Sequence, residues 1–476
     1  MTDLSLPPEP LTRAERTTIL VATTVVALTR LLAVARSPWD WDEMLFLLGL
    51  RDYDVALHHP HPPGFPLFML LARALVSMGI EPFRSLQAIN LTASVVIIPA
   101  MVFLGRELRL PFATNISAAI LFAFFPNVWF FGGTGFSDVA AIVLAVTAIA
   151  MLLRGARSSN AFIGGAFLLA IAAGFRPQNL LVGLLPLLIA AWYRWRARRI
   201  RAVIAGAAII AAVVVVSYAG AIAATGEWSR YRDAVLAHQR YLAEVDSFVS
   251  PTRPSLLRIA DDFFVRPFRI SPVNVALTVL AVISLVTAAW RRRWPVLIAA
   301  GAFGPFWILA WLTLDFHSAS RFSIGYMPLL AILVADAVTQ IASVSRSVRA
   351  QRLITAAFIA GLAGSMAFWT LPGIFLVRNE LSPPMQAIAH LRDTARPDAT
   401  IYVQKRMRPF AEYFLGDLRL THLEEAPPPA SNAPSLYLRE GVSGVPDAKT
   451  FAWPRDPLWN IARRRYFAVA VVPLNR

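Results

Sequence analysis

The chain has 476 residues, of which 57% are hydrophobic and only 16% charged. That is too little charge to coat a soluble protein of this length, and the apolar residues come in blocks of about 20, the length that crosses a bilayer. The net charge of +16 would suit a nucleic-acid binder. Here, however, the arginines gather in short loops between apolar blocks, as the positive-inside rule requires of a membrane protein, so no nucleic-acid partner is implied. Cysteine is absent, which excludes disulfides, thiolate metal sites and cysteine nucleophiles.

Along the chain, Met1 to Arg16 is polar and has no small-residue cleavage site, so the first apolar segment reads as a retained anchor. Eleven spans are predicted, at 17–36, 86–104, 112–131, 137–153, 160–175, 178–193, 202–224, 273–290, 295–314, 323–342 and 353–377. A further apolar segment, Gly64 to Ile80, is short, carries Arg73 and opens at a Pro-Pro-Gly turn. If it does not cross, the loop arginines at 106 and 109, 154 and 157, 194–201, 291–293 and 346–352 all fall on the cytoplasmic side. It is therefore predicted to be a re-entrant or interfacial helix on the outer face. Glu227 to Phe248 reads as an amphipathic helix on that face. The expected division is a membrane region at 1–377, with its first external loop at 37–85, and a small mixed α/β extracytoplasmic domain at 378–476. In the latter, strands are expected near 400–404, 435–439 and 465–472, helices at 383–394 and 409–415, and a loop at 426–430.

This threading puts nearly every unusual polar residue on one face. The first external loop holds Trp39-Asp40-Trp41-Asp42-Glu43, then His58-His59-Pro60-His61-Pro62-Pro63-Gly64-Phe65-Pro66. Adjacent carboxylates on a helix diverge by about 100°, so one of Asp42 and Glu43 can face a reaction while the other holds a neighbour or the backbone. Solvated acids that merely cap the helix would also suit these residues. His58, His59 and His61 can contact a phosphate or sugar hydroxyl. They could also ligate a divalent cation with Asp42 or Asp138, although Pro60 and Pro62 spread them apart, and no metal ligand is assigned. Asp138 follows a Gly-Gly-Thr-Gly run and either caps its helix or serves as a second acid. Arg176, near Gln178, and Arg321, near His317, are cations at the outer ends of spans, against the charge bias. They either recognise phosphate or snorkel to headgroups.

An Asp-Glu pair in the first external loop, a His-Pro-Pro-Gly-Phe-Pro-Leu turn, an acid opening a later span, an Arg-Pro-Gln turn and an Arg-Phe-x-x-x-Tyr-x-Pro segment occur here in that order. Together they resemble the GT-C superfamily of membrane glycosyltransferases, which use polyprenyl-phosphate sugars and include protein O-mannosyltransferase-like and aminoarabinose-transferase-like enzymes. The resemblance spans roughly residues 17–380. It implies an all-α polytopic membrane protein with an α/β extracytoplasmic domain, in the inner (cytoplasmic) membrane. It also implies an inverting hexosyl- or pentosyltransferase acting on the outer face, with a polyprenyl-phosphate-linked sugar as donor and a lipid, glycan or protein as acceptor. In such enzymes the first-loop Asp is the base, a role that falls on Asp42, with Glu43 supporting and Asp138 as a further acid. Arg176, Gln178, His317, Arg321 and the three histidines then meet the substrate. Some relatives carry a lysine in the turn that here holds histidines and prolines. No cofactor is assigned, and a divalent cation is the one candidate. The rival readings are a secondary transporter or lipid flippase coupled through Asp42, Asp138 and Arg176, and a non-catalytic scaffold.

Overall fold

A computed structural model describes residues 4–268, 270–314, 318–424, 428, 434–454, 461 and 467–474. The membrane region is helical: α1 (Arg13–Leu32), α2 (Trp41–Arg51), α3 (Pro66–Ser77), α4 (Pro82–Val95), α5 (Ile97–Glu107), α6 (Phe112–Phe124), α7 (Pro126–Phe131), α8 (Asp138–Gly155), α9 (Ser159–Phe175), α10 (Asn179–Arg196), α11 (Ile200–Thr225) and α12 (Trp228–Tyr241). There follow α13 (Leu256–Ala260), α14 (Ser271–Trp290), α15 (Trp294–Thr313), α16 (Ala319–Phe322), α17 (Met327–Ala342) and the long α18 (Val348–Asn379).

Among the described residues, six helical segments are long and apolar enough to cross a bilayer alone, seven if the bent pair α3–α4 counts as one, and α6 and α9 are shorter apolar helices. Two of the expected spans are broken. Residues 86–104 divide at Val96, and residues 112–131 divide at Phe125, before Pro126. Proline has no N–H to continue the helical ladder. Arg30, fully buried in α1, donates to the Ala123 carbonyl near that break, and its guanidinium lies 5.9 Å from the Phe124 ring and 5.7 Å from that of Trp129. The segment at Gly64 to Ile80, expected to be re-entrant, forms α3, which meets α4 at 120°.

α8 is buried along almost its whole length, as is α17, whereas α11 faces outward. Small residues permit the close packing of α8 against α9: a Cβ on Gly165 would stand 2.7 Å from the Leu152 backbone nitrogen. Polar pairs brace the bundle at two further places. Glu107 takes Arg154 at 3.0 Å and Arg157 at 2.7 Å. Asp336, fully buried, accepts from Arg293, Ser284 and Gln340.

After α18 come α19 (Pro383–Thr394), β1 (Thr400–Gln404), α20 (Arg408–Phe414), β2 (Arg419–Leu423), β3 (Ser435–Glu440), β4 (Lys449–Ala452) and β5 (Ala468–Pro473). The strands form one sheet in the order β2-β1-β3-β5-β4, with β1 parallel to β2 and β3, and β5 antiparallel to β3 and β4. Ile401, Val403, Leu438, Val469 and Val471 are buried in its core with Phe410 of α20 and Leu391 of α19. β2 and β4 carry no strong apolar alternation, which is why the sequence reading passed over them; the loop expected at 426–430 lies, except for Pro428, outside the described residues. This unit is fastened to the first external loop. Ser382 donates through N to Ser37 Oγ (2.9 Å) and through Oγ to the Pro38 carbonyl (2.6 Å), while Arg51 of α2 donates to the Glu412 carbonyl (3.0 Å) and stacks on Tyr413.

Removing a buried charge's partner costs several kcal/mol. Asp336→Ala, which strands Arg293, Ser284 and Gln340, is expected to destabilise the bundle by about 3 kcal/mol; thermal unfolding in detergent checks this.

Candidate active site

α2 is built by its own sequence. Asp40 caps the helix, accepting from the Asp42 N–H at 3.0 Å, and Glu43, at the third helical position, reaches back to the Trp39 and Asp40 N–H groups at 2.9 and 3.3 Å. This reciprocal cap fixes which carboxylate faces where. Glu43 is fully buried, and its other oxygen accepts from the Gly135 N–H at 2.8 Å. Burial pushes the Glu43 carboxyl up to about 8, against the pull of the N–H groups of Trp39, Gly135 and Asp40. Glu43 is thus spent on the backbone, and Asp42, about 100° round the helix, is turned elsewhere.

The loop from Gly132 to Ser137 that meets Glu43 is held from several sides. Gln87 of α4 donates to the Ala35 and Gly133 carbonyls at 2.9 and 2.8 Å, and Asn90 donates to the Thr134 carbonyl and accepts from the Ala140 N–H. At Gly133 a Cβ would stand 1.7 Å from the Ala33 carbonyl oxygen, so only glycine admits this approach to the end of α1. The loop delivers Asp138 at the start of α8.

Asp42, Asp138, Arg176 and Arg321 come together, though they are far apart in sequence. Arg321 pairs with Asp42 at 2.6 Å and lies 3.9 Å from Asp138. Arg176 donates to Asp138 at 2.9 Å and to Ser137 Oγ at 3.0 Å. Aromatic faces wall the cations: Arg321 lies 4.6 Å from Phe136 and 4.7 Å from Phe322, and Arg176 lies 5.5 Å from Phe65. Asp138 is 6% exposed and Asp42 22%, so Asp42 stands at the mouth and Asp138 at the floor. Burial alone would raise the Asp42 carboxyl; Arg321 first, then His61 and Arg176, hold it well below the usual carboxylate range.

The His-Pro turn forms a second wall. Asp54 caps a short turn, His58 is left-handed, and Gly64, at φ +100°, leads into Pro66 at the start of α3. Tyr53 Oη donates to the Gly64 carbonyl and Tyr231 Oη of α12 to the Pro63 carbonyl, each at 2.9 Å. His61 packs on Phe65 and Phe46, with its Nδ1 buried and without a hydrogen-bond partner among the described residues. Burial drives His61 down to about 3, against the raising effect of Asp42. His61 and His58 lie 6.1 and 6.2 Å, ring to ring, from His238 on α12.

The three histidines therefore part company. His61 joins the cluster and His58 sits at its rim. His59 faces Asp52, Asp54 and Glu412 instead, bridged through its backbone to Asp54. Gln178 is half-buried just before α10, two residues from Arg176, and His317 lies outside the described residues. Asp138 does not cap its own helix. The two arginines, expected to meet phosphate or headgroups, are each paired with an acid in the ligand-free protein. Gln87 and Asn90, the two amides of α4 that hold the loop, were not singled out in the sequence.

Among the described residues no group of three or more His, Asp or Glu could hold a metal. Asp42 and Asp138, the carboxylates a cation would use, are each engaged by a guanidinium.

No family model and no curated protein sequence matches the chain. Solved structures do. ArnT of Cupriavidus metallidurans, bound to undecaprenyl phosphate, aligns over 97% of this chain and 98% of its own with a TM-score of 0.56 at 12% identity. The chain shares the fold of ArnT. The Archaeoglobus fulgidus oligosaccharyltransferase in its apo form aligns over 85% of this chain at TM-score 0.52 and 12% identity, and a complex of AglB from the same organism with an inhibitory peptide and a dolichol-phosphate aligns over 84% at 0.51 and 11%. The chain spans 64% and 63% of those two. With the apolar helices, this shared fold makes the chain a multi-pass membrane protein with a small C-terminal sheet unit.

Glu43→Ala orphans three N–H groups at the meeting of α2 and the 132–137 loop, and is expected to destabilise by about 2–4 kcal/mol, roughly 1 or more for each stranded donor. Glu43→Gln keeps an acceptor and should lose less. Thermal unfolding of both variants in detergent provides the comparison.

Proposed function

We propose that this GT-C protein is an inverting glycosyltransferase, moving a sugar from a polyprenyl-phosphate donor to an acceptor hydroxyl on the outer face of the cytoplasmic membrane. The observation that carries the reading is the pairing of Asp42, at the mouth of the cluster, with Arg321 at 2.6 Å, over a second pair, Asp138 with Arg176 at 2.9 Å. Displacement at an anomeric carbon needs a base on one face and positive charge for the departing phosphate on the other. A carboxylate and a guanidinium in contact provide both.

In the ligand-free protein each charge neutralises the other. A donor phosphate competes with Asp42 for the Arg321 fork, and Arg176, anchored by Asp138 and Ser137, adds a second cation. As Arg321 turns its donors to phosphate, the proton affinity of Asp42 rises towards that of an ordinary carboxylate. Asp42 then takes the proton of the acceptor hydroxyl as that oxygen bonds to the anomeric carbon. The bond from that carbon to the phosphate oxygen breaks, and its electron pair leaves on the phosphate, held by Arg321 and Arg176. His61 and His58, neutral near pH 7 because burial lowers both, offer uncharged hydrogen bonds to sugar hydroxyls. Glu43 and Ser137 are positioning groups. Hexosyl and pentosyl donors, and lipid, glycan and protein acceptors, all share this chemistry. The division at residue 377, between catalytic membrane region and extracytoplasmic domain, belongs to the same reading. α20 packs beside α2 through Arg51, which puts the sheet unit within reach of an acceptor. The charged groups gather where helices begin and end, as a reaction centre at the bilayer surface would require, whereas a coupled transporter needs them at mid-depth.

Asp42→Asn is expected to lower transfer from a polyprenyl-phosphate sugar about 10²–10⁴-fold in protein that still folds, as thermal unfolding checks. Transfer at the wild-type rate would remove Asp42 as the base. The kcat/KM profile gives a separate check. Arg321 holds Asp42 below the usual carboxylate value of about 4, so the wild type should show no acid limb from Asp42 above roughly pH 5. Arg321→Gln removes the main depressing charge and should move that limb to higher pH.

A further inference from the structure

α10 starts beside Arg176 and runs 18 residues, which carries its far end about 27 Å from the acid–arginine cluster. There the chain reverses into α11 through a tight turn, with the Arg198 N–H donating to the Trp195 carbonyl and the Arg199 N–H to the Arg194 carbonyl, each at 2.8 Å. A cavity of about 570 Å³ opens at this turn, lined by Trp192, Trp195, Arg196, Arg198 and Ile200. Both indoles are more than half exposed, at 53% and 66%, and Arg196 stacks on Trp192 at 5.6 Å.

The charge here is unanswered by the protein. Five arginines fall between 194 and 201, and no Asp or Glu occurs from Leu180 to Gly226. Arg194 is buried and donates to the Ala156 carbonyl, but Arg196, Arg198, Arg199 and Arg201 join no ion pair among the described residues. Three other arginines expected on the same face are answered by acids: Arg154 and Arg157 by Glu107, Arg293 by Asp336. Membrane topology explains why arginines are here. It does not call for a cavity walled by two exposed tryptophans. Guanidinium forks match phosphate oxygens, indole rings settle at the headgroup level, and a cavity of this size falls within the roughly 300–1,000 Å³ of small-ligand sites. Beyond Ile200, the outward face of α11 is apolar, with Ile204 62% exposed and Val215 64%, as acyl chains require. The cationic amine of a zwitterionic headgroup would meet four unpaired arginines and be repelled; an anionic headgroup would not.

We propose that the cavity between α10 and α11 binds the phosphate headgroup of an anionic phospholipid of the inner leaflet, a site separate from the donor site. The test is calorimetric titration of the full-length protein in detergent with dioctanoyl phosphatidylglycerol, dioctanoyl phosphatidylcholine and glycerol phosphate. The expected result is saturable binding of the phosphatidylglycerol, at least tenfold tighter than either other probe. The Arg196→Gln/Arg198→Gln double variant should lose that binding at least tenfold, and Trp195→Ala should weaken it severalfold, each with the lipid-free melting temperature unchanged. Equal affinity for the two lipids, equal affinity for glycerol phosphate, or full binding by the double variant would overturn the site. If the double variant unfolds, the Trp195→Ala titration decides: unweakened binding counts against the site.

Discussion

The buried carboxylate of Glu43 is the joint on which the polar face depends. It closes the cap of α2 through the Trp39 and Asp40 N–H groups and reaches across to the Gly135 N–H. Local and long-range structure meet in that one side chain. The cap aims Asp42, and the long-range bond holds the loop that delivers Asp138. Without Glu43, two carboxylates from helices separated by nearly a hundred residues would have no common reference. Gln87 and Asn90 of α4 support the same loop from behind, and Gly133 permits its close approach to α1.

The cluster so assembled balances two acids against two arginines. Charges this deeply withdrawn from water persist only when paired and hydrogen-bonded, and here each acid has its guanidinium while the cations are backed by Phe136, Phe322 and Phe65. Such an arrangement is stable without a ligand and rearranges at modest cost when a new anion arrives, because Arg321 already lies between Asp42 and Asp138. Arg176 is fixed more tightly, by Asp138 and Ser137 together. The asymmetry suits one anchored cation and one that changes partners.

The same rule, that charge in a membrane protein must be answered, sorts the remaining arginines. Arg30 answers a carbonyl near a broken helix; Arg154, Arg157 and Arg293 answer buried acids; Arg51 couples α2 to the sheet unit. The turn between α10 and α11 is the place where unanswered charge coincides with a cavity and with exposed indoles.

The composition of this chain determined that it is a membrane protein, because apolar blocks with so little charge have no other stable environment. The order of its motifs pointed to the GT-C fold, and the cap sequence Asp40–Glu43 is local enough to read directly. Helix count was not legible in the same way: mean hydropathy runs through Val96 and Pro126, where the backbone breaks. Nor was the partnership of Arg321 with Asp42, which joins residues 279 positions apart in the sequence, or the parting of His59 from His61, which depends on how the turn is tied to Tyr231 and Asp54. Pairing across such distances is set by helix packing and by which side chains are left without water. Only the tertiary structure decides that, because a sequence names the charges but not the neighbours that must answer them.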